Sequence, residues 1–201
     1  MILAPGDTHY PIALQLYMGK NDLPVLNAIG NVEILSRKKL ALFCSVRCPG
    51  SIIIQTYDYF EKFHQQQYAV IGGFHSPMEQ ECLRILLRNA QPVIYCPARG
   101  IGKMRIPREY KKPIEENRLL IISPFDEKQH RATVKTTSFR NVVSAAIADS
   151  IFIPYAHPKG KVEKLLEKVI TWGKPVLTLE SEENKHLLTL GAKIIDNAFL
   201  T

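Results

Sequence analysis

The sequence predicts an α/β protein with a Rossmann-like, doubly wound and mostly parallel sheet that carries helices on both faces. Short apolar runs rich in β-branched residues recur at regular intervals, and they are continuous rather than alternating, as in strands covered on both sides. Helical patterns fill the intervals, which predicts right-handed crossovers between parallel strands. At 201 residues the chain is long enough for one domain with a sizeable core.

The elements follow one another in a strand–helix rhythm. Strands are predicted at 40–45, 68–72, 92–96, 119–123, 150–154 and 175–179, which makes a six-stranded sheet. Helices are predicted at 51–66, 77–89, 138–148 and 158–172, each with an apolar stripe at helical spacing. Residues 1–38 are predicted to form a short N-terminal cap on a Rossmann-like domain at 39–201. Residues 97–118 are too long and too polar for an ordinary link.

Composition excludes several classes of protein. Hydrophobic residues make up 46% and charged residues 22%, which is typical of a globular chain and not of a disordered one. No apolar run is long enough to span a bilayer, and the N-terminus does not have the pattern of a secretory signal, so we expect a cytoplasmic protein without a membrane partner. The cysteines are expected to be buried thiols, and their spacing with His75 fits no common zinc site, so no metal is expected; they are Cys44, Cys48, Cys82 and Cys96.

The net charge of +7 favours a phosphate-bearing partner, and much of it is concentrated in one segment. Residues 99–118 hold seven Lys and Arg against three Glu, a local surplus of 7 − 3 = +4. A solvated face is the usual explanation of such a run, but a surplus this one-sided also suits a nucleic-acid backbone.

Ligands of open α/β sheets bind beyond the carboxyl ends of the strands, near the point where the strand order reverses. The candidate residues for a phosphate there are Ser45, Arg47 and Gly50 after the first predicted strand, Gly72, Gly73, His75 and Ser76 after the second, Arg140 and Asn141 before the fifth, and Lys159, Gly160 and Lys161 after it. Glycines let a phosphate approach the amides that open a helix, whereas Ser76 with Glu79 also reads as a structural capping box. Two lysines oppose the positive end of the next helix, which indicates a nearby anion.

Catalytic signals are poor. The sequence has no G-x-S-x-G turn, no Walker lysine and no H-E-x-x-H motif, so we assign no catalytic residue and expect no cofactor.

Several segments, taken in order, carry a resemblance to a known family. They are Tyr10-Pro11, Gly30-Asn31, Leu42 to Arg47 with Gly50, Ile71 to Ser76, Ile106-Pro107, Ile122 to Pro124, Phe139 to Ile153, and Ala156 with Gly160. In these segments the chain resembles the DNA-processing protein A (DprA, or Smf) family. That family lies within a Rossmann-like superfamily that also includes LOG-type phosphoribohydrolases. His75 stands where the family has an arginine, and Lys159 and Lys161 stand where it has serines.

The resemblance implies a bacterial protein that binds single-stranded DNA of any base sequence. It also implies that the protein acts in DNA uptake and recombination without catalysis. It implies binding roles for Arg47, Gly72, Gly73, Arg140, Asn141 and Gly160. It also implies a recombinase partner and a homodimer, although no motif of this sequence places either contact surface.

Two alternatives remain open at this point. A nucleotide-binding sensor or nucleoside-monophosphate phosphoribohydrolase would use Glu79 and Glu163 beside a ribose, but residues 154–163 lack the paired glycines and the threonine of that group's loop. An interaction module that has lost its ligand would keep the fold alone.

Overall fold

The computed structural model describes residues 1–19, 22–63 and 68–196. Its strands are β1 Ile2–Leu3, β2 Leu26–Gly30, β3 Lys38–Leu42, β4 Tyr68–Gly72, β5 Val93–Tyr95, β6 Leu119–Ser123, β7 Ser150–Phe152, β8 Val176–Thr178 and β9 Lys193–Ile194. In the described part of the chain they form one sheet in the order β1-β2-β6-β5-β4-β3-β7-β8-β9. Pairing is parallel from β6 to β9, and β2 pairs antiparallel with both β1 and β6.

The predicted fold class is confirmed, and so are all six predicted strands, but the predicted strand number was wrong. The additional strands are the two at the N-terminal edge and β9 at the other edge. Two of them have only two residues each, too few for a periodic pattern. The third, Leu-Asn-Ala-Ile-Gly, alternates between buried and half-buried positions, so it lacks the continuous apolar character of the central strands.

The described helices are α1 Ile12–Tyr17, α2 Gly50–Lys62, α3 Pro77–Arg88, α4 Arg108–Glu115, α5 Val134–Ile147, α6 Lys161–Thr171 and α7 Lys185–Thr189. Residues 64–66 of the predicted helix 51–66 lie outside the described residues. The fifth helix begins four residues before the predicted start at 138, because Thr133 and Thr136 cap each other's backbone N–H. This is a capping box with threonine in the place of the usual Glu or Gln.

Each face of the sheet carries its own apolar core. Along β3, Leu40 and Leu42 belong to the core beneath α2 and α3, whereas Ala41 belongs to the core beneath α1, α5 and α6. All three side chains are buried. This alternation on a strand with two covered faces is why the predicted strands read as continuous apolar runs.

The strand order reverses at β3. The chain proceeds from β3 through β4, β5 and β6 to one side, and β7 then returns to pair with the other edge of β3. The segments that follow β3, β4 and β7 therefore leave the sheet at one edge, where a cleft opens between them.

Candidate functional site

A cavity of about 660 Å³ lies at this carboxyl edge and is called the main cavity below. Three segments that leave the sheet line it, together with the start of α5. The lining residues are Phe43 to Arg47, Gly73, His75, Ser76, Glu79, Ala132 to Val134, Thr137, Arg140, Asn141, His157, Lys161 and Val162.

The structure brings together eight of the twelve predicted site residues. Ser45, Arg47, Gly73, His75, Ser76, Arg140, Asn141 and Lys161 all line the main cavity. The other four flank it in sequence without lining it. Gly50 begins α2, Gly72 ends β4, Gly160 precedes α6, and Lys159 occupies the turn before Gly160 with a φ of 60°.

A second cavity of about 470 Å³, called the second lobe below, adjoins the main cavity. Five residues line both, namely Gly73, His75, Ala132, Thr137 and Arg140. The second lobe adds Tyr95, Pro97, Ala98, Arg99, His130 and Arg131. Among the described residues no Asp or Glu lines the second lobe, so the cleft extends along a cationic surface beyond the main cavity.

Three helices begin at the main cavity. Ser76 caps α3 and Thr133 caps α5, while Lys161 and Val162 form the first turn of α6, and all four line the cavity. The first N–H groups of a helix have no intrahelical acceptor, and Gly160 offers those of α6 no side-chain cap. Converging helix N-termini create a positive potential that attracts an anion.

Arg140 occupies the boundary between the two lobes. Its side chain is buried, with only 3% of the residue exposed, and its Nη1 donates to the Cys96 carbonyl at 2.9 Å. Its Nε has no hydrogen-bond partner, and within the described residues the guanidinium forms no ion pair. A buried cation without a counter-charge is costly, because the protein interior solvates it less well than water does.

Gly73 is required by this arginine. A Cβ at residue 73 would lie 0.7 Å from Arg140 Nη1, so no other residue fits without displacing the guanidinium. The sequence suggested that Gly72 and Gly73 open a path for phosphate to the backbone. The structure shows that Gly73 makes room for the Arg140 side chain, and the phosphate path stays a prediction.

The carboxylate of Glu79 holds the glycine-rich loop in place. Its Oε2 accepts the N–H groups of His75 and Ser76 at 2.8 and 2.9 Å, and its Oε1 accepts that of Cys44 at 2.9 Å. The predicted capping box between Ser76 and Glu79 is confirmed. Because these amides already donate to a carboxylate, they are not free to bind a phosphate.

The loops after β3 and β7 are joined directly. His157 N–H donates to Ser45 Oγ at 2.9 Å, and Ser45 N–H donates to the Tyr155 carbonyl at 3.1 Å. Glu163 closes the turn before α6, accepting the N–H of Lys159 at 2.6 Å and lying 3.3 Å from His186 Nε2. These contacts hold Arg47 and Lys161 on neighbouring walls of one cavity.

Burial shifts the titration of several groups around the cleft. Burial raises the pKa of Cys96 to about 11 and raises that of Tyr95, while the positive charge of Arg140 opposes both shifts. A hydrogen bond from the Cys44 thiol raises the pKa of Cys44 and lowers that of Cys48. All four cysteines are free thiols, and within the described ranges no three His, Cys, Asp or Glu side chains gather as a metal ion would need.

Sequence reasoning missed part of the lining. Thr133, Val134 and Thr137 line the main cavity from the first turns of α5, a stretch that the predicted helix omitted. The signal that could have found them is the Thr-x-x-Thr capping pair. His130 and Arg131 lie in the polar segment before this helix, where no periodic pattern indicates a side chain's direction.

The fold and the cleft define a class: a Rossmann-like protein with a cationic cleft at the switch point of its sheet. A family model described as DNA recombination-mediator protein A matches residues 1–199, and the chain belongs to this family. The resemblance found in the sequence is thereby confirmed.

Solved structures agree in fold. DNA processing protein A (DprA) from Streptococcus pneumoniae superposes with a TM-score of 0.80 at 17% identity, covering 97% of this chain and 70% of that one. DNA processing protein A from Helicobacter pylori, whose structure is described with a single-stranded DNA binding mode, gives 0.75 at 22% identity, covering 94% and 90%. A molybdenum cofactor binding protein from Rippkaea orientalis gives 0.56 at 8% identity, covering 80% and 90%. No curated protein sequence matches the chain. None of the described helices is both long and apolar enough to cross a membrane.

Proposed function

We propose that the protein binds the phosphate backbone of single-stranded DNA in the cleft and acts in DNA processing without catalysis. The observation that carries the proposal is Arg140, a buried guanidinium with an unpartnered Nε and no ion pair in the described residues, at the boundary of two cationic lobes. A phosphate oxygen supplies the acceptor and the negative charge that the protein itself does not place there.

The extent of the cleft favours a strand over a single nucleotide. Arg47 and Lys161 line the main cavity, and Arg99 and Arg131 line the second lobe on the other side of Arg140. Cations spread over two adjoining lobes match successive phosphates of one chain. The relative from Helicobacter pylori, described with a single-stranded DNA binding mode, supports the same ligand.

The state of the two candidate carboxylates argues against a phosphoribohydrolase. Both oxygens of Glu79 accept backbone N–H groups, and Glu163 is engaged by the Lys159 N–H and by His186. A general acid or base must reach the substrate's own proton, and these oxygens are already used within the fold. We therefore propose binding without catalysis.

The wider role follows the family. A recombinase that receives the bound strand is a further part of the proposal, supported by the family's description as a recombination mediator. A homodimer of this chain is also proposed, and it rests on the family resemblance alone. We place the protein in the cytoplasm, where free thiols such as those of Cys48 and Cys96 stay reduced.

The test is the binding of a labelled oligothymidylate, followed by fluorescence anisotropy at low and at moderate salt. We expect binding that weakens steeply as salt rises, and a loss of about ten- to a hundredfold in affinity for Arg140→Met, the value of one hydrogen-bonded charge. Arg47→Gln, at an exposed position, should also weaken binding without affecting folding. Fluorescence of Trp172, the single tryptophan, checks that each variant is folded.

Absence of binding at low salt would refute the proposal. Incubation with nucleoside monophosphates tests the alternative in the same preparation. Release of free base would establish a hydrolase instead.

A further inference from the structure

Histidines are concentrated in the cleft. His75 lines both lobes, His157 lines the main cavity and His130 lines the second lobe, and these are three of the six histidines in the chain. All three residues are exposed to solvent.

The rings of these histidines form few hydrogen bonds within the described part of the fold. His157 Nδ1 lies 2.8 Å from the Pro158 carbonyl, which fixes that nitrogen as the donor and leaves Nε2 for a ligand. The His75 residue is held through its backbone, by Glu79 and by the Gln80 side chain. In the part of the chain that the structure describes, the rings of His75 and His130 form no hydrogen bond or ion pair.

The charges that face these histidines are almost all positive and permanent. The other charged or titratable groups that line the two lobes are Arg47, Arg99, Arg131, Arg140, Lys161, Glu79, Cys44 and Tyr95. Glu79 is the one carboxylate in this set, and both of its oxygens accept backbone N–H groups. A hydrogen bond to Cys48, together with burial, raises the pKa of Cys44, and burial raises that of Tyr95, so neither group ionises near neutral pH.

We infer that His75, His130 and His157 take up protons as a polyanion enters the cleft, so that DNA affinity increases as the pH falls through the neutral range. Histidine is the side chain that ordinarily changes charge between about pH 5 and 8. A bound phosphate places negative charge beside these rings, and a nearby negative charge favours the imidazolium form. By linkage, whatever favours the proton when DNA is bound also makes the protonated protein bind DNA more tightly. The inference rests on the proposed function.

The decisive measurement is the salt dependence of oligothymidylate binding at about pH 6 and about pH 8. Thymine and phosphodiester groups do not titrate in this interval, so any change belongs to the protein. Each histidine that becomes a phosphate contact should steepen the slope of log affinity against log salt by about 0.7 for a single strand, or about 2 for all three. At low salt we expect affinity about tenfold or more higher at the lower pH. Calorimetry in buffers of different ionisation enthalpy should show proton uptake on binding.

The variant that carries His75→Gln, His130→Gln and His157→Gln should bind with nearly the same affinity and slope at both pH values. His9→Gln is the matched control, because His9 is also exposed and lies near Glu33, outside both lobes. It should keep the full pH dependence. Wild-type binding with equal affinity and slope at both pH values would overturn this inference and leave DNA binding itself intact. Full pH dependence in the triple variant would also overturn it. Failure to bind at either pH would instead refute the proposed function.

Discussion

Two cationic regions of this molecule differ in how their charges are used. In the cleft, Arg47, Arg140 and Lys161 form no ion pair within the described residues. A groove between α3 and α4, called the α4 groove below, also collects four cations, and it is lined by Leu87, Arg88, Arg108, Glu109, Lys112, Pro113 and Arg118. Here Arg118 lies 2.6 Å and Lys112 lies 3.6 Å from Glu116.

Of the remaining groove cations, Arg88 is paired, whereas Arg108 forms no ion pair within the described residues. Arg88 pairs with Glu61, Arg118 also donates to the Leu87 carbonyl at 2.7 Å, and Glu109 lies in the lining itself. Most of these cations therefore already have an anionic or carbonyl acceptor, whereas the cleft cations lack an anionic one. We therefore base the proposed binding site on the cations for which the fold provides no counter-charge, and not on the number of Lys and Arg in a segment.

The largest effect on DNA affinity is expected when two positive charges are removed from the cleft. A matched variant removes two positive charges from the α4 groove. The double variant Arg47→Gln with Lys161→Gln should lose about a hundredfold or more in affinity for oligothymidylate, since two charge-assisted contacts are lost. Its salt slope should become shallower by about 1.4, which is two single-strand phosphate contacts. Both are measured by anisotropy titration over a range of salt.

The matched variant is Arg88→Gln with Lys112→Gln in the α4 groove, which removes two paired cations and lowers the net charge equally. We expect its affinity to stay within about threefold of wild type and its salt slope to be unchanged, because only diffuse screening is altered. Equal losses of affinity in both variants would contradict the difference between the two regions, because net charge alone would then explain binding.

The fold could be read from the sequence where burial is complete on both sides. Strands such as Tyr68–Gly72 and Leu119–Ser123 have the predicted bounds, because each is a run of apolar residues between turns. β2 could not be found this way, since its residues are only half covered and its pairing with β6 depends on a distant part of the chain. Its antiparallel direction has no local signal.

The sequence predicted which loops line the candidate site, but not how every side chain lies there. The rule that ligands bind where the strand order reverses selected the segments that carry Ser45, Arg47, Gly73 and Lys161, all of which line the main cavity. The burial of Arg140 could not be predicted, because helical periodicity does not distinguish a buried arginine from an exposed one. The sequence also did not show that the basic residues of segment 99–118 lie in two different places. Arg99 lines the second lobe, whereas Arg108 lines the α4 groove.

A smaller effect is expected when Arg140 is displaced and no charge is changed. In Gly73→Ala the new Cβ would meet the guanidinium, so the side chain must leave its position between the lobes. We expect about a tenfold loss of oligothymidylate affinity, with an unchanged net charge. Gly72→Ala is the neighbouring control, because its nearest contact is the Leu42 carbonyl at 3.2 Å and it does not touch Arg140. Unaltered binding in Gly73→Ala would mean that the position of Arg140 does not matter.

The smallest effect on DNA affinity is expected from a substitution at Gly50. This substitution removes a glycine of the predicted site without displacing any cation. A Cβ at this position meets nothing within 4 Å, and the residue begins α2 outside both lobes. In Gly50→Ala the unfolded chain loses conformational freedom that the folded chain does not use, so the free energy of unfolding should rise by about 0.4–1 kcal/mol. Chemical denaturation followed by Trp172 fluorescence measures this change. Oligothymidylate affinity should stay within about twofold of wild type, as for a surface substitution. A loss as large as that of Gly73→Ala would place the DNA against the start of α2, and the boundary of the cleft would then have to be extended to that helix.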